Sequence, residues 1–430
     1  MNKIKKYFNI VELGSNIRTE LLAGLSIFLS LSYIFIVNPT ILAEAGIGKS
    51  AVFFATVIVS SLATIIMGLW AKKPFALAPG LEMNSYIAFV VIAGMGFVWP
   101  KALGLVFWSG ILMLIVNALK IRESIIKAIP NTLKAGLAAT VGVFLMLIAL
   151  NVSGILAYEG IQLTGIGNLI APQALVFLVG LLTLIILKKF KVRGAIIASI
   201  VAASLVGHLA GLADAIEPVR LSSDMFSAFF ALDFSVILNP KALSVILILF
   251  LLDFYGSIAK FIGLTRNTNI VDENGDMPQM QEALSIDGGA TVLGSVLGTT
   301  NVTTYVESAV GIGEGGRTGL TAVTTGVLML FFLLLTPLVN LVPVIATTGA
   351  LFYVGLTLFP KRKELREYKW FDIISVLAMV VTTIVTFGLD KSMLIGFGLY
   401  IVFQVTTGKW REVNPYLFGS AVLLLLAIFL

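Results

Sequence analysis

Residues 298–320, GTTNVTTYVESAVGIGEGGRTGL, lie between long apolar runs, and this one stretch constrains the fold more than any other. The chain is 58% hydrophobic and 12% charged, with a mean hydropathy of +1.02, so a Gly- and Thr-rich segment carrying Glu307 has to interrupt a membrane span. Lipid cannot hydrogen-bond exposed backbone, and irregular chain at membrane depth persists only where protein covers it or where it lines a polar cavity. An ionisable residue in such a place is a functional candidate by default. A second stretch of the same character, residues 72–86 (KKPFALAPGLEMNSY), lies in the other half of the chain. Paired interruptions in two halves point to the binding site of a secondary transporter.

The charged share is far below the roughly 25% usual for globular domains, which predicts an all-α polytopic membrane protein embedded in the lipid bilayer. With no cysteine and one histidine, the chain has no disulfide framework, no thiolate metal site and no His cluster, so neither a metal nor another cofactor is expected. The net charge of +6 does not point to nucleic acid, because the basic residues fall in short loops beside apolar runs, where they set orientation. The basic start, Met1 to Tyr7, is followed by an amphipathic stretch through Arg18 and Glu20 with no small-residue cleavage site. Residues 20–38 therefore read as a retained first helix after a short N-terminal segment, 1–19.

A span takes about 20 residues. That length places helices near 20–38, 51–70, 99–119, 132–151, 171–188, 193–212, 241–263, 318–340, 341–358, 370–388 and 391–406. Broken segments at 74–97 and 298–316 and a short helix at 284–297 bring the count to about 14, and 415–430 is a further apolar run. With a cytoplasmic N-terminus, Lys72/Lys73, Lys120/Arg122/Lys127, Lys188/Lys189/Lys191/Arg193, Arg266, Arg317, Lys361/Arg362/Lys363/Arg366 and Lys409/Arg411 all fall on the inside. The alternate loops hold Glu44, Glu159, Asp214, Glu217 and Asp224, in agreement with the positive-inside rule. Pro130, Gly136 and Gly142 recur as Pro343, Gly349 and Gly355 with identical spacings of 6 and 12, at an offset of 213 residues. The echo predicts two repeats, 20–220 and 237–430, of seven helices each. An odd number makes successive halves insert with opposite orientation, the inverted-repeat plan of many transporters.

Three acidic residues stand out: Glu82, Asp253 and Glu307. Asp253 lies in an otherwise apolar helix, where a carboxylate costs on the order of 3 kcal/mol, so it needs a proton, a polar partner or a cation. Lys260 is two turns further along the same face and can meet it through a bound group or water. Glu82 and Glu307 sit where helices break, and a half-helix starting inside the membrane aims unpaired N–H groups at a cavity. All three are candidate proton-coupling and substrate-binding groups; the plainer reading makes each a helix cap or a structural ion-pair member. Asn84, Ser85, Thr303 and Thr304 can hydrogen-bond a ligand or serve ordinary helix packing. His208 reads as interfacial, and Arg317 with Glu314 as an anchor at the cytoplasmic end of the broken segment.

Several of these motifs resemble the AzgA-like purine permeases of the nucleobase–cation symporter-2 group. They are Arg18-Thr19-Glu20 with Ala23-Gly24, Tyr33-Ile-Phe-Ile-Val-Asn38-Pro39, Pro74-Phe-Ala-Leu-Ala-Pro-Gly80 with Asn84, and Thr303-Thr304-Tyr-Val-Glu307-Ser-Ala309 through Glu314-Gly-Gly-Arg317-Thr-Gly-Leu320. The resemblance implies fourteen helices in a seven-plus-seven inverted repeat, with core and gate domains, the third and tenth helices broken, and substrate held between the third, eighth and tenth. It also implies proton-driven import of adenine, guanine or hypoxanthine across the inner membrane, and a homodimer. Asn84, Asp253 and Glu307 match the family's binding positions. Glu82 stands where the family has glycine, and Gly256 where it has a second aspartate on the eighth helix. These departures leave room for a modified or partly cationic heterocycle as cargo on the same fold. An intramembrane enzyme or a passive channel are the readings of other classes, and no nucleophile–base pair supports the first.

Overall fold

The computed structural model describes residues 2–429 apart from 120–129, 160–161, 191, 193–194, 213–222, 266–267, 272–276, 336–341, 361–368, 387–388 and 410–412. Lys120, Arg122, Lys127, Lys191, Arg193, Asp214, Glu217, Arg266, Lys361, Arg362, Lys363, Arg366 and Arg411, which entered the orientation argument, lie outside the described residues.

Apolar runs fold as helices here because a helix satisfies its own backbone where no water can. A short α1 (Asn2–Tyr7) precedes α2 (Ile17–Leu31), α3 (Ile34–Glu44) and α4 (Lys49–Ile66), the last extended by a wider turn through Ala71. Strand β1 (Leu77–Pro79) leads into α5 (Leu81–Ser85), continued by Tyr86–Gly94, and then α6 (Trp99–Ala118). Next come α7 (Asn131–Val152), a hairpin of β2 (Leu156–Glu159) and β3 (Gln162–Ile166), α8 (Pro172–Lys189) and α9 (Ala195–Leu209). The remainder holds α10 (Pro240–Thr265), α11 (Met280–Leu297), β4 (Val302–Thr304), α12 (Ser308–Gly313) and α13 (Gly319–Leu330). It ends with α14 (Val344–Thr357), α15 (Trp370–Thr386), α16 (Leu389–Thr406) and α17 (Pro415–Phe429). Among the described residues six helices are long and apolar enough to cross a membrane, and several shorter apolar ones accompany them.

Three local differences from the sequence reading have physical causes. The first helix starts at Ile17 because Asn16 caps it, accepting from Thr19 N at 3.0 Å. It runs on to Glu44 with a break at Ser32–Tyr33, where the Ser32 hydroxyl bonds back to the Phe28 carbonyl, a contact that bends helices. The short helix expected at 284–297 instead begins at Met280 and ends at Gly298, whose φ of +102° is open to glycine and whose N–H returns to Gly294 O. The four short strands were not anticipated by an all-helical reading; they cap and join helices without forming a larger sheet.

The helices pack in two groups. In one, α13 crosses α2 and α4, and α11 packs along α6 with α10 beside it. In the other, α7, α8, α9, α14, α15 and α16 pack on one another. Close crossings rest on glycine: a Cβ at Gly319 would run into the Gly68 carbonyl, and one at Gly142 into that of Gly355. The last pair are equivalent positions of the sequence echo, on α7 and α14, each helix preceded by its proline.

Candidate functional site

The two interruptions meet. Strand β1 pairs antiparallel with β4, Leu77 opposite Thr304 and Pro79 opposite Val302. Gly80 N donates to Asn301 O and Tyr305 N to Ala76 O, each at 2.9 Å. Side chains supply the remaining partners: Thr64 Oγ1 accepts from Leu77 N at 2.9 Å, Ser308 Oγ from Ala76 N at 3.0 Å, and Thr291 Oγ1 from Val302 N at 3.0 Å. Extended backbone survives inside this apolar protein because each segment completes the other. From this joint α5 and α12 depart, carrying Glu82 and Glu307 at their starts.

Glu307 Oε1 accepts from the Tyr33 hydroxyl at 2.8 Å, and its buried Oε2 has no hydrogen-bond partner among the described residues. Tyr33 comes from the Tyr33–Pro39 motif, and Asn38 of the same motif donates to Thr56 at 2.7 Å and Thr299 at 3.0 Å, tying α3 to the chain before β4. Glu82 and Glu307 both lie within electrostatic range of Tyr33 and Tyr305. Asp253, 1% exposed, accepts on Oδ2 from Thr291 Oγ1 at 3.1 Å and Asn301 Nδ2 at 3.2 Å, while its buried Oδ1 has no partner among the described residues. Thr300 Oγ1 donates to Asn84 Oδ1, leaving Asn84 Nδ2 and the neighbouring Ser85 Oγ buried and unpartnered among the described residues.

Sequence reasoning missed Asp287. It is fully buried on α11, and Thr304 Oγ1 donates to its Oδ1 at 3.3 Å, so a further carboxylate sits against β4 near Asp253. Its signal was a lone acid among small residues, Ile286-Asp287-Gly288-Gly289. Lys260 was paired in prospect with Asp253; its Nζ instead lies 3.4 Å from Glu82 Oε1 and donates to Thr303 Oγ1 at 3.2 Å. Two turns of one helix keep Lys260 and Asp253 apart, whereas the other interruption brings Glu82 alongside. Arg317 is held at the end of the broken segment: its Nη1 donates to Ile312 O at 2.5 Å and Gly316 O at 2.8 Å, and its backbone N to Glu20 Oε1 at 3.0 Å. Glu314 accepts from Ser26 Oγ at 2.5 Å.

A cavity of about 370 Å³ opens beside this joint. Glu82, Gly256 and Lys260 line it, with Leu251, Leu252, Val306 and Ala309 on the same side. Leu137, Ala138 and Val141 of α7, with Thr357 and Leu358, close it from the second group of helices. Of the expected site residues, Glu82 and Gly256 face the cavity directly; Glu307 sits between its lining neighbours Val306 and Ala309, and Asp253, Asn84, Ser85 and Thr304 are buried behind the wall. An apolar chamber with a few convergent polar groups suits a small flat molecule.

A protein-family model described as "Permease family" (Xan_ur_permease) matches residues 18–389. A protein of Methanocaldococcus jannaschii described as a permease is 37% identical over 424 residues, covering 98% of this chain and 97% of its own. The adenine permease AdeP of Escherichia coli K12 is 33% identical, with 99% and 96% covered, and the guanine/hypoxanthine permease PbuO of Bacillus subtilis 31%, with 98% and 100% covered. In fold, the transmembrane domain of the cyanobacterial bicarbonate transporter BicA superposes with a TM-score of 0.63 at 16% identity, covering 95% of this chain and 97% of that one. The murine anion transporter Slc26a9 also gives 0.63, at 12% identity, covering 94% and 72%. Motifs, joint, cavity and kin agree: this chain is a multi-pass membrane transporter, not an enzyme, and it belongs to the permease family, in the nucleobase–cation symporter-2 group.

Proposed function

We propose that the protein is a proton-coupled symporter that brings a purine nucleobase such as adenine, guanine or hypoxanthine into the cell across the inner membrane. Similarity to AdeP and PbuO supports the substrate class. The observation that carries the reading is Glu307: a carboxylate at the start of a half-helix, held by Tyr33 on one oxygen, with the other buried and without a hydrogen-bond partner among the described residues. In this reading the free oxygen accepts a ring N–H, and Asn84 and Ser85, together with Thr304, Gly256 and the half-helix amides, complete the binding region. Glu307 and Asp253 are the proton carriers, each keeping one buried oxygen without a hydrogen-bond partner among the described residues; Glu82, held by Lys260, is the weaker candidate.

The architecture we assign is a seven-plus-seven inverted repeat, 20–220 and 237–430, with the first helix group as core, the second as gate, and a cytoplasmic N-terminus. The facing echo glycines, Gly142 and Gly355, support the two-fold relation. The partners are the base, protons, the bilayer and a second copy in a homodimer. The test is uptake of labelled hypoxanthine, guanine and adenine by proteoliposomes under an imposed pH gradient. Uphill accumulation that a protonophore abolishes is expected. Equilibration without accumulation removes the proton coupling, and absence of uptake for all three removes the purine assignment.

A further inference from the structure

Among the described residues lining the cavity, two are charged, and they face each other. Lys260 Nζ lies 3.4 Å from Glu82 Oε1, with the two side chains 16% and 19% exposed. The rest of the wall is nearly all hydrocarbon. The ammonium is steadied by Thr303, whose hydroxyl shares a 2.9 Å bond with Ser257. One turn before Lys260, a Cβ at Gly256 would meet nothing within 4 Å, so the wall beside the ammonium is hollow. Glu82 stands where the resembled family has glycine.

A carboxylate offers only acceptors and an ammonium only donors. Side by side on a mostly apolar wall, they complement a ring edge that presents a donor next to an acceptor, such as the N–H and C=O of a lactam. The charges cancel, so a neutral ring meets one favourable partner for each group. An anion gains Lys260 but faces Glu82, and a cation the reverse; a mismatched charge in a low-dielectric site is rejected strongly. We propose that Glu82 and Lys260 together form the specificity element of the cavity, selecting neutral heterocycles with adjacent donor and acceptor over anionic and cationic ones. The assignment rests on the nucleobase reading above and names which bases pass.

The test compares hypoxanthine (neutral), urate (anionic near neutral pH) and 1-methyladenine (cationic below neutrality) as competitors of labelled hypoxanthine uptake. Wild-type protein should favour hypoxanthine. Glu82→Gln leaves Lys260 alone and should move the hypoxanthine-to-urate ratio of inhibition constants toward urate by on the order of tenfold. Lys260→Gln should move preference toward 1-methyladenine by a similar factor. The double variant should bind hypoxanthine more weakly and lose charge discrimination. Equal weakening for all three probes in both single variants makes the pair a structural clamp and overturns the proposal. Should Lys260→Gln fail to elute as a folded species, the wild-type ranking still decides: urate above hypoxanthine overturns it. Wild-type protein that takes up no purine brings down the parent reading first, an outcome distinct from a wild type that transports and variants that keep its ranking.

Discussion

At the scale of single residues, Glu307 carries the heaviest assignment. Removing its charge while keeping its shape, as Glu307→Gln, takes away a buried charge-assisted acceptor, a loss of about 2–3 kcal/mol. Uptake should fall by roughly a hundredfold while the protein still elutes as a folded species from size exclusion; wild-type uptake would refute the role. Tyr33→Phe removes the hydroxyl that donates to Oε1 and should lower uptake more mildly. The sequence singled out Glu307 because an ionisable residue among Gly and Thr between apolar runs is a functional candidate by default. It did not make Asp287 legible, since α11 looked like a shorter helix whose acid lay near its start. Nor could it supply the partner of Lys260, because Glu82 is 178 residues away and only the β1–β4 joint brings them together. Asp287→Asn tests the missed residue: it keeps one acceptor for Thr304 and the shape of the site, so a large loss of uptake in folded protein would place Asp287 in the transport mechanism and not merely in the packing.

At the scale of elements, what fixes the chain that follows the half-helix α12 is a buried carboxylate at the start of α13. Glu20 is fully buried on α2 and accepts from Arg317 N, Thr318 N and Oγ1, and Thr321 Oγ1, at 2.5 to 3.1 Å. Its carboxylate thus closes the N-terminus of α13, where negative charge is favoured. Glu20→Ala would strand several buried donors, each worth about 1–3 kcal/mol. A thermal melt of the purified protein should drop well below wild type, and Glu20→Gln, which keeps one acceptor, should fall between. Glycines give a second contrast. Gly319→Ala forces a Cβ onto the Gly68 carbonyl, and overpacking of about 1–3 kcal/mol outweighs the roughly 1 kcal/mol gained in helix propensity, so the melt should fall. Gly256→Ala enters open space, and there the propensity gain should prevail. Most helix positions were readable from hydropathy to within a few residues because each span must satisfy its own backbone; the exceptions are the first, which runs on to Glu44, and the run expected over 318–340, which is α-helical over Gly319–Leu330. The strands were not, because strands of three to five residues leave no periodic trace.

At the scale of the whole molecule, the cavity belongs to neither group of helices alone. Ala138 on α7 and Ala309 on α12 both line it, one from each side. If transport works by moving one group against the other, a covalent tie across the cavity must stop it, while the same groups left untied must not. The chain offers a clean background, having no cysteine. Ala138→Cys and Ala309→Cys, each alone, replace a methyl by a slightly larger thiol and should retain most uptake. The double variant, treated with a reducible bifunctional thiol reagent long enough to span the chamber, should lose uptake and regain it on reduction. A monofunctional reagent of equal bulk on each single variant separates tying from plugging. Full uptake by the tied protein would mean that substrate passes without relative motion of the two groups, and the transporter would then have to work through a route or a motion other than the one its cavity implies.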